Sequence, residues 1–273
     1  MFDRISQAQL EDIEPALSER DKAILATVRK CRYLTTGQIQ RLHFTEAATP
    51  NAALRGANRN LNKLRDFGFI DTLSRRVGGV RAGSSSLIWF LTDAGERMLR
   101  LGNYTARPRK RYFEPSPYFL AHTLAVSECY VQLFEICAGD GLSLVEAELE
   151  PSCWRDYNHK GTMTTLKPDL FAIANCGKFE DRYFFEMDLN TESPAVILEK
   201  CHRYHMYYQS SLEQKQYGIF PLTVWIVQDA ARKESLTAHI RAEFQKWPRL
   251  FIVITPDELE KLIRQGVDGT TLC

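Results

Sequence analysis

Residues 166–208 read LKPDLFAIANCGKFEDRYFFEMDLNTESPAVILEKCHRYHMYY, and three carboxylates stand in them on apolar runs. Asp169 follows Pro168 at the head of the first run, and Glu186 and Asp188 close the second. A carboxylate buried without a partner is costly, so all three require one. Hard oxygen ligands of this kind suit Mg²⁺ or Mn²⁺, which can activate a water against a phosphodiester. By period-two alternation Lys167 and Asp169 share a face of their strand, as do Glu186 and Asp188 of theirs. If the runs pair through a turn at FEDR, all four residues converge on one patch. The alternative is a carboxylate cluster capped by Thr191, Arg or Lys partners, which does no chemistry.

A second group of residues offers recognition rather than catalysis. The stretch PNAALRGANRNLNKLRDFG reads as a helix with Thr49 as N-cap, Pro50 in its first turn and Gly68 at its end. Leu54, Ala57, Leu61 and Leu64 are expected on its core face. Arg55, Arg59 and Asn62 fall on another face at i, i+4, i+7, flanked by Asn51, Asn58 and Lys63. Arginine and asparagine read guanine and adenine edges in the major groove, and Lys and Arg hold phosphates.

The elements that must carry these residues follow from the pattern. Two helices precede the basic one, over 19–31 with Ser18 and Asp21 as a capping box, and over TGQIQRLHF with Thr35 or Thr36 as cap. After it come a strand, FIDTLSRR, a Gly/Ser-rich turn, a strand, LIWFL, and a helix capped by Thr92. Three helices and a hairpin form the winged-helix variant of the helix-turn-helix, whose third helix enters the major groove. Arg75, Arg76 and Arg81 on the hairpin suit phosphate or minor-groove contacts. The same module can serve protein contacts, with Arg and Asn merely solvating an exposed face.

Residues 103–117, rich in Pro and basic side chains, read as a linker. Beyond it the expected order is a helix at 118–138, an edge strand LSLVEAELEP, a loop or irregular hairpin, the two acidic strands, a helix at 194–210, then two apolar strands alternating with helices. That order indicates an α/β sandwich with a mixed central sheet. The domains are therefore an N-terminal extension (1–18), a winged helix (19–102), a basic linker (103–117) and an α/β domain (118–273).

Charge divides along the same line. Residues 1–112 hold 20 Lys/Arg against 11 Asp/Glu, and residues 113–273 hold 15 against 23. The basic excess falls within 51–112, pointing to a polyanion partner. Seven cysteines without a CxxC pair imply a reduced, cytoplasmic protein with neither a disulfide framework nor a zinc site. No stretch is apolar for the ~18 residues a membrane span needs, and the N-terminus lacks a secretory layout.

The helix, the acidic strand, Pro168-Asp169, then Glu186-Met187-Asp188 and a further helix together resemble the PD-(D/E)xK nuclease core, a restriction-endonuclease-like fold. With the winged helix in front, and EMDLNTES leading into a helix bearing Lys and Tyr, residues 19–256 resemble the replication-relaxation family of plasmid proteins. That family is associated with plasmid replication and with DNA relaxation during mobilisation. The resemblance implies a catalytic set of Asp169 and Glu186, with Lys167 or Lys200 supplying the amine, because the usual lysine position holds Asp188. It implies a metal set of Asp169, Glu186, Asp188 and Glu128, with Mg or Mn if the site is active. The expected function is a duplex-DNA-binding accessory protein of a plasmid or mobile element, its nuclease-like domain serving as a scaffold. Expected partners are double-stranded DNA and a relaxase, a replication protein or a second copy of the chain. The alternatives are a Mg/Mn-dependent endonuclease and a winged-helix transcriptional regulator that senses a ligand.

Overall fold

Polar side chains that satisfy otherwise orphaned backbone N–H groups start the N-terminal helices. In the computed structural model, which describes residues 5–73, 87–101, 114–139, 141–176 and 179–266, Ser18 pairs with Asp21 to begin α2 (Glu19–Cys31) and Thr35 pairs with Gln38 to begin α3 (Thr36–His43). Thr49 caps α4 (Pro50–Asp66), which ends where Gly68 takes a φ of +73°. The segment expected to be a bare extension holds a further helix, α1 (Gln7–Ile13), started by a Ser6–Gln9 capping box and anchored by the buried Leu10.

Contacts divide the chain into two compact units, Met1–Val131 and Gln132–Cys273. In the first, β1 (Leu34–Thr35), β2 (Ile70–Thr72) and β3 (Ile88–Leu91) form an antiparallel sheet in the order β1-β3-β2. Helix α5 (Asp93–Leu101) follows, and Thr92 accepts the Gly95 N–H at its start. Gly95 is required by close packing, because a Cβ there would lie 2.1 Å from the Phe69 carbonyl oxygen. Ile24, Leu25, Val28, Ile39, Ala57, Leu61 and Leu64 fill the core between helices and sheet. Helix α6 (Pro117–Ile136) crosses the division, and its Leu120 packs on Tyr33, Leu73, Ile88 and Phe90 of the first unit. The hairpin arginines Arg75, Arg76 and Arg81, and the basic cluster of the linker, lie outside the described residues.

The second unit is built on a five-stranded mixed sheet, so the chain is a mixed α+β protein. Its strands are β4 (Leu142–Leu149), β7 (Leu170–Cys176), β8 (Phe179–Asp188), β9 (Leu222–Val227) and β10 (Phe251–Ile254), in the order β10-β9-β8-β7-β4. The β4–β7 and β7–β8 pairs are antiparallel, while β8, β9 and β10 run parallel. The segment left open between β4 and β7 is a regular hairpin of β5 (Arg155–His159) and β6 (Thr162–Leu166). Helices α7 (Pro194–Ser210) and α9 (Ala230–Glu243) cover one face of the sheet, burying Phe171, Phe184, Trp225 and Phe251. A short α8 (Leu212–Tyr217) and a closing α10 (Leu259–Gln265) complete the unit.

Two register expectations change. The FEDR residues lie inside β8, which pairs with β7 from Leu170↔Phe185 to Cys176↔Phe179, and do not form a turn. Strict alternation along LSLVEAELEP puts Val145 with Ala147 and Leu149 on one face, but a bulge between Leu144 and Glu146 leaves Val145 54% exposed. A bulge on an edge strand interrupts the row of free backbone groups that would otherwise template a further strand.

Candidate functional site

The sheet brings two of the three strand carboxylates together. Antiparallel pairing of β7 with β8 sets Asp169, just ahead of β7, beside the end of β8 that carries Glu186. The Asp169 N–H donates to the Phe185 carbonyl at 3.2 Å, and Asp169 Oδ2 accepts the Met187 N–H at 2.7 Å. Both carboxylates are buried, with Asp169 6% and Glu186 3% exposed.

Helix α7 completes the cluster. Lys200 and Tyr204 stand one helical turn apart and so share a face. The Tyr204 hydroxyl donates to Glu186 Oε1 at 2.6 Å, and Lys200 Nζ lies 3.9 Å from Oε2. That second distance is a charge contact rather than a hydrogen bond. The ammonium is held more closely by Glu192 Oε2, at 3.0 Å, and sits 5.8 Å from the centre of the Trp225 ring.

Burial first, and then the neighbouring Asp169 charge, push the Glu186 carboxyl well above its ordinary value, against the opposing pull of Lys200 and Tyr204. Burial disfavours the charge of Lys200, but Glu186, Glu192 and Asp169 outweigh it and hold the ammonium above its ordinary value. Burial and the same carboxylate keep Tyr204 protonated far into the alkaline range. The group is thus a buried carboxyl of raised proton affinity beside Asp169 and an ammonium held by Glu192, and perturbed clusters of this kind are enriched at functional sites.

The remaining expected members are elsewhere. Asp188 is closed off, its Oδ1 accepting the Asn190 N–H at 3.0 Å and its Oδ2 facing Arg232 Nε at 2.6 Å. Arg232 also donates to the Glu192 carbonyl at 2.6 Å, so the pair ties down the loop that supplies the Lys200 partner. Glu128 lies on the part of α6 that belongs to the first unit, where Arg41 Nη1 at 2.5 Å and Gln38 Nε2 at 3.0 Å occupy its carboxylate. Lys167 is exposed and turns its ammonium over the Trp154 ring, 4.6 Å from the centroid. Among the described residues, no group of three or more His, Cys, Asp and Glu side chains is arranged to hold a metal ion. Two carboxylates nevertheless match the way Mg²⁺ is commonly held, with most of its shell left to water and substrate.

Sequence reasoning missed Tyr204, Glu192 and Arg232 as parts of this cluster. The four-residue spacing from Lys200 to Tyr204 was the available signal for the first; nothing local marks Arg232, which arrives from α9. The other notable α7 side chains have structural partners: His202 pairs with Glu243 at 2.9 Å, His205 packs on Trp247, and the Tyr207 hydroxyl donates to the buried Glu213.

In the first unit, α4 presents Asn51, Arg55, Asn58, Arg59 and Asn62, all exposed, and none has a hydrogen bond or ion pair with another described residue. Lys63 does not join them. Its ammonium binds Asp21 Oδ2 at 2.8 Å and the Ala16 carbonyl at 2.9 Å. Leu54, expected in the core, is 40% exposed, whereas Ala57, Leu61 and Leu64 are buried as expected and are joined by Ala53 and Gly56.

No helix among the described residues is long and apolar enough to cross a membrane. Comparison with curated proteins found no match, and comparison with solved structures found none either. Residues 25–223, from α2 through to β9, match the family model described as Replication-relaxation. With most of its 273 residues inside that match, the chain belongs to the replication-relaxation family.

Proposed function

We propose that the chain is a duplex-DNA-binding accessory protein of a plasmid or mobile element. Family membership supports the replication and relaxation theme. In this reading the first unit is a winged helix with α4 as its recognition helix. The second is a restriction-endonuclease-like core used as a platform for a relaxase, a replication protein or a second copy of the chain. The observation that carries it is the outer face of α4, where five Arg and Asn side chains stand exposed without partners among the described residues. Side chains of these types left unengaged on one helix face match base edges and phosphates.

Titration of a labelled duplex by fluorescence anisotropy tests this reading. Affinity should fall steeply with salt, because neutralised phosphates release counterions. The Arg55→Ala/Arg59→Ala variant should bind at least tenfold more weakly with an unchanged melting temperature. Unchanged affinity in that variant removes α4 from the interface.

The Asp169, Glu186 and Lys200 cluster supports a second reading, a Mg/Mn-dependent DNA endonuclease. Asp169 and Glu186 would hold the ion, whose chemistry is activation of a water against a phosphodiester. Lys200, fixed by Glu192, would stabilise developing negative charge. Incubation with supercoiled plasmid and Mn²⁺ decides between catalyst and scaffold. The catalytic reading requires nicking that Asp169→Ala and Lys200→Met abolish; intact plasmid with the parent protein leaves the scaffold.

A further inference from the structure

The side chains on the outer face of α4 are not a generic basic surface. At ~100° per residue, Asn51, Asn58 and Asn62 fall within about 40° of one another, with Arg55 beside them. Leu54 and Arg59 flank this strip on opposite sides. Asparagine carries no charge, so a strip of three adds nothing to the long-range electrostatic attraction for phosphates. Its amide instead matches the N6 donor and N7 acceptor of adenine. Leu54, 40% exposed at the margin of this polar face, offers aliphatic surface to the methyl group that only thymine carries in the major groove. The rise of ~1.5 Å per residue separates Asn51 from Asn58 by about 10 Å, roughly three base pairs, with Leu54 between them.

We infer that α4 reads A·T pairs in the major groove, with Asn51 and Asn58 on adenines about three base pairs apart and Leu54 on an intervening thymine methyl. This inference rests on the DNA-binding reading and narrows it to a ligand class, an A·T-containing B-form duplex. Arg55 is left for a guanine or a phosphate at the edge of the site, and Arg59 for the backbone.

The experiment uses the full chain and a duplex enriched by it from a random pool. Affinity is measured for that duplex, for the same sequence with deoxyuridine in place of thymidine, and with 7-deazaadenine in place of adenine. Loss of a contacted methyl should weaken the parent protein about fourfold, and Leu54→Ala should bind the thymidine and deoxyuridine duplexes equally. Loss of N7 should weaken the parent about tenfold or more and leave Asn51→Ala/Asn58→Ala indifferent. Leu54→Gln, which keeps length and helix propensity, provides a second variant should Leu54→Ala melt early. Equal parent affinity for thymidine and deoxyuridine duplexes overturns the role of Leu54. Equal affinity for adenine and 7-deazaadenine duplexes overturns the role of the asparagines. In both cases salt-dependent duplex binding still stands, whereas failure to bind any duplex defeats the underlying reading instead.

Discussion

The Tyr204 hydroxyl, 2.6 Å from Glu186 Oε1, gives a buried carboxyl a neutral donor on one oxygen while Lys200 stands off the other at 3.9 Å. An ammonium that far away, shared with Glu192, does not fully offset burial and the Asp169 charge, which is why Glu186 holds its proton above the usual carboxylate range.

A pH-dependent stability follows from that relationship. The folded state binds the Glu186 proton more tightly than the unfolded chain, whose ordinary value is 4.5. Stability contributed by the protonated form is therefore complete below 4.5 and declines as pH rises through the higher folded value, by at most ~1.4 kcal/mol per pH unit. The Glu186→Gln variant should lack this slope and melt above the parent at neutral pH. Melting temperatures across pH 4–8 check it, and parallel curves for the two proteins would remove the proton from Glu186.

The Asp188–Arg232 pair should behave as a structural bond. Replacing Arg232 with Met leaves a fully buried carboxylate without its cation, a loss of about 3 kcal/mol or more. The double variant Asp188→Asn/Arg232→Met should recover most of it, since no charge is then stranded. Urea denaturation measures both. Loss of Mn²⁺ binding in Asp188→Asn, with stability untouched, would return Asp188 to the metal set.

Lys63 separates folding from recognition. It serves Asp21, whose carboxyl is held below its ordinary value because, although burial raises it, Lys63 and the Ser18 and Asn60 hydrogen bonds outweigh that effect. Lys63→Met should cost about 1 kcal/mol or less, the ammonium being partly exposed. Asp21→Ala, which also removes the α2 capping box, should cost about 2 kcal/mol. The salt slope of DNA binding should be unchanged in Lys63→Met, whereas a phosphate contact would lower it by about one ion.

The strands of the second unit were legible because FAIA, YFF, VWIV and FIVI are apolar on both faces, as central strands require. Capping pairs marked α2 and α3 as plainly. Less legible were features set by geometry between distant segments. A two-residue β1 has no periodicity to detect, and the bulge at Val145 breaks the alternation from which its face was inferred. Lys63 and Leu54 lie at the margins of the α4 face, where a change of a few tens of degrees decides between core and solvent. Arg232 reaches Asp188 across 44 residues, so nothing near Asp188 in the chain announces that its charge is already spent. Convergence of Lys200 on Glu186 could be anticipated as one option, but selecting it over Lys167 required knowing that the Lys167 ammonium turns to Trp154.

Because Lys200 and Tyr204 hang from consecutive turns of a single rigid helix, the charge and the proton presented to Glu186 are locked in phase. A rigid shift or roll of α7 carries both attachment points with it, so the hydroxyl donor of Glu186 and its nearest cation both depend on the placement of one helix.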